Sequence, residues 1–399
     1  MIHFFNPGHE TAILNASKHY HPPAHVDKLQ ADLAFLPAWY ASDGDFVFID
    51  TSLPDDFIHS CETLKLLVNP VTSGDFSRNP EMFQHATIEL WGISPQSNHF
   101  FEQLSRQWNL SLIVPQWKEE YRFLSSRFAS QQVFAGLLDC IPGIDNEILP
   151  QFVSTIEMIE RQTVQSHEPL LVKSPYSSSG RGLLRLSPGR LKQSEKQILS
   201  GMLKKQEQVS IEKWLDKRLD FSMQFENTAD GNTRFVGYSI FRTNAKGAYE
   251  KSQLARQEYL EKQIIQWINP DILTQTRRIL TESIQDKYAP YYSGITGVDL
   301  LIYKAGDSYR LHPCVEINMR KTMGYLAIRL TEKCLNPDSR GELFIEYNHN
   351  PQTIKDKHKC LQMNYPLIIE DGFVRSGYFS LCPVTDSTKY LAYVIITSP

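Results

Sequence analysis

The sequence has little of what marks several large protein classes. Positive charge is not in excess: 41 Lys and Arg face 45 Asp and Glu, a net charge of −4, so there is no basic footprint for a nucleic-acid backbone. No apolar run reaches membrane-spanning length, and Met1 to Gly8 lack the basic start and apolar core of a signal peptide; a cytoplasmic protein without a membrane partner is expected. Cysteine is sparse and dispersed. Cys61, Cys140, Cys314, Cys334, Cys360 and Cys382 show no Cys-x-x-Cys spacing, which favours reduced thiols over a disulfide framework or a zinc site. Internal repeats and low-complexity tracts are missing too. What remains is an ordinary globular composition, 41% hydrophobic and 22% charged, over a length of 399 residues that fits two or three domains.

Read from the start, Ile2 to Phe5 is strand-like and stops at Asn6-Pro7-Gly8, a strong turn signal. His9 and Glu10 follow. The carboxyl end of a first strand is where open α/β sheets place ligand contacts, so Asn6, His9 and Glu10 are substrate-facing candidates, with an ordinary solvated turn as the alternative. His19, His21 and His25 surround Pro22-Pro23 without an acidic or thiol ligand at helical or hairpin spacing, and a Pro-rich loop is expected there rather than a metal site. A helical pattern over 27–40 leads into a strand at Phe46 to Asp50. Short apolar runs follow at 64–68 and 88–92, a helix at 98–104 and a strand at 111–115. This alternation predicts an α/β domain with a mostly parallel sheet over about the first 120 residues. Serine and helically spaced apolar residues predict a further helix over 125–138.

Three later stretches carry chemistry. In residues 297–321, Gly306-Asp307 is a two-residue turn with glycine first, flanked by strand-like runs, which predicts a β-hairpin. With Ala305 opposite Ser308, counting outward sets Asp299 opposite Cys314. The period of two then adds Glu316, Asn318 and Arg320 to the Asp299 face and sends Val315, Ile317 and Met319 to the other. Two carboxylates and an amide oxygen suit a hard cation such as Mg²⁺, bound together with substrate phosphates; an amphipathic hairpin with a solvated polar face is the alternative. In residues 170–186, two apolar strands enclose a loop holding Ser177, Ser178, Ser179, Gly180 and Gly182, with Lys173 and Arg181 beside it. Such a loop offers N–H and hydroxyl donors and close backbone approach to a phosphate chain, although it is not a P-loop. In residues 209–225, a strand ends at Glu212-Lys213-Trp214-Leu215 and resumes at Leu219 to Phe225.

Together these stretches resemble the ATP-grasp enzymes, over roughly residues 125–330. Glu-Lys-Trp-Leu is similar to the hinge of D-alanine:D-alanine ligases, and Glu-x-Asn-x-Arg resembles the row in biotin carboxylase and carbamoyl phosphate synthetase. The resemblance implies a fold that is α/β and α+β, an ATP-grasp fold with an N-terminal Rossmann-like pre-ATP-grasp domain and a small β-rich C-terminal addition, divided at 1–124, 125–220, 221–334 and 335–399. It further implies that Lys173 contacts ATP phosphates beneath the Ser177 to Gly182 loop, that Glu212 and Leu215 frame the adenine while backbone groups of Lys213 and Trp214 read its edge, and that Asp220 holds the ribose. Asp299, Glu316 and Asn318 match the ligands of one or two Mg²⁺ ions, with Mn²⁺ as a substitute. Arg320 matches a residue for the acidic substrate or the transferred phosphoryl group, and Lys173 and Arg181 join it as catalytic candidates. The sequence departs from the family twice: Arg127 stands where relatives have a second nucleotide-binding lysine, and Gly297 where some ligases have an arginine.

The expected activity is ATP-dependent ligation of a carboxylate to an amine or thiol through an acylphosphate. Phosphoryl transfer to a hydroxyl and a non-catalytic nucleotide-binding module are the alternatives. Partners are then a small-molecule acid and amine, in a monomer or homodimer. The insertion at 238–265, with Arg242, Tyr249 and Arg256, is either a substrate-side loop or a surface excursion. After Leu330, strands are expected at 343–347, 365–370, 377–381 and 390–397.

Overall fold

The computed structural model describes residues 1–177, 182–244 and 247–397. They form two units, one from Met1–Lys118, Glu250–Tyr259 and Arg320–Pro399, the other from Glu119–Tyr249 and Leu260–Met319.

The first unit contains the expected parallel sheet, with strands in the order Asn69–Val71, Phe46–Phe48, Ile2–Phe4, Ile88–Leu90. Each strand is short, and Ile2, Phe4, Phe48, Val71 and Ile88 enter one buried cluster with Phe76 and Phe101. Three local expectations are corrected. The helix expected over 27–40 is a helix at Ala24–Asp32 followed by a separate 3-10 turn at Leu36–Trp39, because Pro37 has no N–H to continue a helical ladder. The run at 64–68 is a connection, and pairing begins only at Asn69. The strand expected at 111–115 is reduced to one bridge, Ile113 to Thr87.

The C-terminal segment is β-rich as expected. Its antiparallel strands run in the order Tyr249–Leu254, Arg340–Tyr347, Tyr390–Thr397, Phe373–Ser380, Ile368–Glu370. Two features were not legible beforehand. A helix, Pro351–Asn364, connects strand Arg340–Tyr347 to strand Ile368–Glu370 and is capped by the Asn350 side chain. The 238–265 insertion supplies a strand to this sheet where a loop or surface excursion was expected, while the helix Gln257–Ile265 after it agrees with the charged helical run through Gln263. The segment also shares a core with the N-terminal residues: the Trp39 indole donates to the Leu381 carbonyl at 2.8 Å, and Asp32 accepts from the N–H groups of Lys389 and Tyr390.

The second unit holds two antiparallel sheets. The smaller has the strand order Gln151–Val153, Val209–Lys213, Leu170–Lys173, Leu183–Leu186, with Val153, Leu170, Val172 and Ile211 on its buried face. In the larger, Ser308–Asn318, Gly294–Ala305, Asp216–Asn227 and Thr233–Thr243 lie side by side. Strand period two divides its faces. Phe221, Met223 and Phe225 are fully buried on one face, which helix Pro270–Lys287 covers: its Arg277 lies over the Phe235 ring and reaches the Tyr238 hydroxyl. The opposite face carries Asp220, Ser222 and Gln224. Helix Arg127–Leu138 is tied to the hairpin strand by Ser130, whose Oγ accepts from the Ile317 N–H at 2.9 Å. Among the described residues no helix is long and apolar enough to cross a membrane.

Candidate active site

The hairpin Gly294–Ala305/Ser308–Asn318 turns at Gly306, whose φ of +64° is the left-handed conformation that glycine adopts without strain. Ala305 pairs with Ser308 as counted, but the register then shifts. Leu301 faces His312, while two residues further back Asp299 faces Glu316 rather than Cys314. Between these pairs one strand runs from 299 to 301 and its partner from 312 to 316, so the partner bulges around Pro313, which has no N–H for the ladder. The correction strengthens the site: two carboxylates expected to be staggered are directly opposed. Asn318 faces Gly297, and its Nδ2 donates to Asp299 Oδ2 at 3.2 Å. Two opposed carboxylates and an adjacent carboxamide are hard oxygen donors on one face and fit a Mg²⁺ ion that completes its shell with phosphate and water. Among the described residues no group of three or more His, Cys, Asp and Glu forms a self-sufficient metal cage.

The sheet face around this hairpin extends the polar row. Ser222 lies beside Asp299, and Gln224 beside Gly297; both are buried, and Gln224 Nε2 donates to Ser222 Oγ at 2.8 Å. These two residues were not foreseen, although Asp220-x-Ser222-x-Gln224 continues the period-two face from Asp220. Asp220 itself is paired with Lys217 and Thr243, yet burial raises its carboxyl above the ordinary range. His312 is buried, its ring tilted against Phe134 at 4.7 Å, and held neutral: burial and the Lys173 charge lower its pKa to about 3. The Cys314 thiol is pushed up by burial and by Asp299 and Glu316, which keeps it protonated and not nucleophilic.

In the smaller sheet, Leu170 and Val172 point into the core, so Lys173 and Leu171 point the other way, and Leu171 faces Glu212. Lys173 and Glu212 form a buried ion pair on that polar face. A lysine anchored this way is a fixed point charge with donors to spare. At the hinge, Lys213 pairs with Glu147, and Arg185 lies 4.6 Å over the half-exposed Trp214 ring. One expectation changes: the Trp214 N–H donates to the Pro169 carbonyl at 2.9 Å, so that donor is committed and does not read a base edge. Leu215 is half-buried beside it.

Gly182 closes the loop neck, its carbonyl accepting from the Ser174 N–H at 2.9 Å. At φ +67°, with a Cβ that would sit 2.8 Å from Ser174 Oγ, no other residue fits that place. Ser177 is described, whereas Ser178, Ser179, Gly180 and Arg181 lie outside the described residues. Arg127 is buried and anchored through two of its nitrogens: Nε donates to the Ser174 carbonyl at 3.1 Å, and Nη2 reaches Ser177 Oγ at 3.3 Å and Glu316 Oε1 at 3.1 Å. The nucleotide-binding lysine expected there is thus replaced by a group tied to a candidate metal ligand.

Arg320 is also corrected. The strand ends at Asn318, so Arg320 does not continue the Glu316-Asn318 row. It belongs to the other unit, where Nε donates to Glu10 Oε1 at 2.6 Å and Nη1 to the Lys321 carbonyl. Asn6, His9 and Glu10 lie around the carboxyl ends of the parallel strands as anticipated. Asn6 bridges the N–H and carbonyl of Gly92, and Lys321 pairs with Glu89. His9, 3.3 Å from Glu10, is neutral: burial lowers its pKa to about 4 against the opposing pull of Glu10. The Arg320 charge and the hydrogen bond it donates keep Glu10 ionised, its carboxyl below the usual range even though burial alone acts to raise it.

No protein-family model matches the chain, and no curated protein sequence matches it. Solved structures do. N5-carboxyaminoimidazole synthetase from Staphylococcus aureus, complexed with ADP, superposes with a TM-score of 0.50 at 11% identity, over 90% of this chain and 94% of that one. The biotin carboxylase domain of 2-oxoglutarate carboxylase from Hydrogenobacter thermophilus, complexed with MgADP, ADP and bicarbonate, gives 0.52 at 12% identity over 100% and 86%. An ADP complex of N5-carboxyaminoimidazole ribonucleotide synthetase gives 0.50 at 11% over 100% and 92%. With a parallel N-terminal sheet and two antiparallel sheets, the chain has the ATP-grasp fold.

Proposed function

We propose that this chain is an ATP- and Mg²⁺-dependent ligase that joins a carboxylate to an amine or thiol. The observation that carries the reading is the directly opposed Asp299–Glu316 pair with Asn318 beside it, in the same unit as the buried Lys173. Its neighbours in fold include structures holding ADP and, in one case, bicarbonate. A carboxylate oxygen of the acid attacks the γ-phosphorus of ATP, ADP departs, and the resulting acylphosphate is attacked at its carbonyl carbon by the amine, which loses a proton as phosphate leaves. Asp299, Glu316 and Asn318 would hold Mg²⁺, which would supply charge neutralisation to the phosphates. Lys173 places a cation on the phosphate chain while Glu212 keeps the ammonium from swinging away. Ser177 offers the phosphates a hydroxyl donor, and Gly182 allows close backbone approach. Glu212, Lys213, Trp214 and Leu215 border the base, and Asp220 takes the ribose hydroxyls.

Residues 125–220 and 221–334 provide the nucleotide machinery, and residues 1–124 with the 238–265 segment select the acid and amine. The test is ADP release over a panel of acids paired with amines, with mass spectrometry of the products. Amide formation with stoichiometric ADP supports the reading. A phosphorylated alcohol, or nucleotide binding without ADP release on any pair, overturns it.

A further inference from the structure

Arg127 occupies an unusual place for a cation beside a metal ligand. Its guanidinium is anchored at three points, the Ser174 carbonyl, Ser177 Oγ and Glu316 Oε1, at 3.1, 3.3 and 3.1 Å. Its own N–H donates to the Pro175 carbonyl at 3.0 Å, and its side chain is only 9% exposed, so the fork cannot swing aside without breaking several buried bonds. A guanidinium never releases its proton in a protein, and its planar fork fixes the carboxylate oxygen it touches. Ca²⁺ readily takes a carboxylate by both oxygens, at longer distances and with six to eight ligands. Mg²⁺ demands a tight octahedron and takes a carboxylate by one oxygen.

We propose that Arg127 is a specificity-determining positioning residue: by holding Glu316 Oε1 it makes this carboxylate a one-oxygen ligand, and so selects Mg²⁺ over Ca²⁺ at the nucleotide. The proposal rests on the ligase reading above only in taking Asp299, Glu316 and Asn318 as the cation ligands. It also gives a reason for arginine at this position: an ammonium has no fork with which to grip Ser174, Ser177 and Glu316 together.

The test is equilibrium binding of a non-hydrolysable ATP analogue, by calorimetry, in Mg²⁺ and in Ca²⁺, for the wild type, Arg127→Lys and Arg127→Ala, with circular dichroism and melting curves to verify folding. The wild type is expected to bind tighter in Mg²⁺. The Mg²⁺-to-Ca²⁺ affinity ratio is expected to fall by about 5-fold or more in Arg127→Ala, the low end of ordinary coupling between sites, and part-way in Arg127→Lys, which keeps the charge and serves alone if the alanine variant does not fold. If affinity drops equally in both cations and the ratio is unchanged, Arg127 contributes charge or structure only and the proposal is wrong while the ligase reading stands. If the wild type binds no nucleotide in either cation, the ligase reading fails and the proposal fails with it.

Discussion

In the Glu119–Tyr249/Leu260–Met319 unit the candidate ligands stand at period-two positions of paired strands, whereas in the other unit the ion pairs join a helix start, a strand and the segment after Asn318. Asp299, Glu316, Lys173 and Glu212 each occupy a period-two position in a paired strand, and their partners follow from pairing. Glu10, Arg320, Glu89 and Lys321 meet from three distant parts of the chain: Glu10 and Arg320 are 310 residues apart, Lys321 and Glu89 232 apart. The first arrangement makes a ligand set whose spacing is fixed by the ladder. The second ties the ends of the unit together, and its Glu10–Arg320 pair is largely enclosed. Removing one partner of an enclosed pair leaves a charge with no compensation, and this governs what mutations do in each unit.

The sharpest way to break the comparison is Glu316→Gln, which keeps an acceptor for Arg127 but removes the charge offered to a cation. ADP release with a competent acid is expected to fall by about 10³-fold, with the melting temperature almost unchanged; loss of folding without selective loss of turnover contradicts the strand-borne ligand role. In the other unit the expected effect is on stability. Glu10→Ala leaves Arg320 without its carboxylate and is expected to cost about 3 kcal/mol in urea unfolding; a change under about 0.5 kcal/mol means the pair ties nothing down. Gly92→Ala comes next, at about 2 kcal/mol. A Cβ there would lie 2.4 Å from the His9 ring, so the imidazole packs directly on the backbone, and an unchanged unfolding midpoint refutes that contact.

The smallest effect, a pH dependence, tests what the units share. His9 and His312 have folded pKa values lowered to about 4 and about 3, against an ordinary value of 6.5. Above pH 6.5 both are neutral folded or unfolded and no stability is lost. As pH falls from 6.5 toward 4 the unfolded chain takes up protons that the folded chain refuses, so stability declines by about 1.4 kcal/mol per pH unit for each imidazole. Urea midpoints of His9→Gln and His312→Gln between pH 6.5 and 5 are expected each to lose a similar part of that slope; a slope unaltered by either substitution rules out the buried neutral form.

The same contrast explains what was legible in advance. The ATP-grasp architecture, the Lys173 strand, the hinge and the hairpin are local patterns with a turn or a period, and they fold where they were placed. Ser222 and Gln224 were within reach of the same counting, as the continuation of the row begun at Asp220. The roles of Arg127 and Arg320 were not. A guanidinium at a helix start or beyond a strand end takes whichever carboxylate the tertiary fold brings near, and no spacing encodes that Arg127 meets Glu316 or that Arg320 meets Glu10. The Pro351–Asn364 helix was missed for a related reason: its apolar positions are few, Ile354 being its only buried residue.

The bulge at Pro313 has a consequence for how this site tolerates change in length. It adds an even number of residues to one strand, two, so the alternation of faces survives it: Glu316 and Asn318 stay on the side of Asp299 even though their partners differ from a simple count. Deleting any two of Pro313, Cys314 and Val315 is therefore expected to leave both carboxylates opposed across a straight ladder, whereas deleting one would rotate Glu316 toward the opposite side. Parity, more than proximity, is what keeps Glu316 on the Asp299 face, so this strand tolerates changes of length by two better than changes by one.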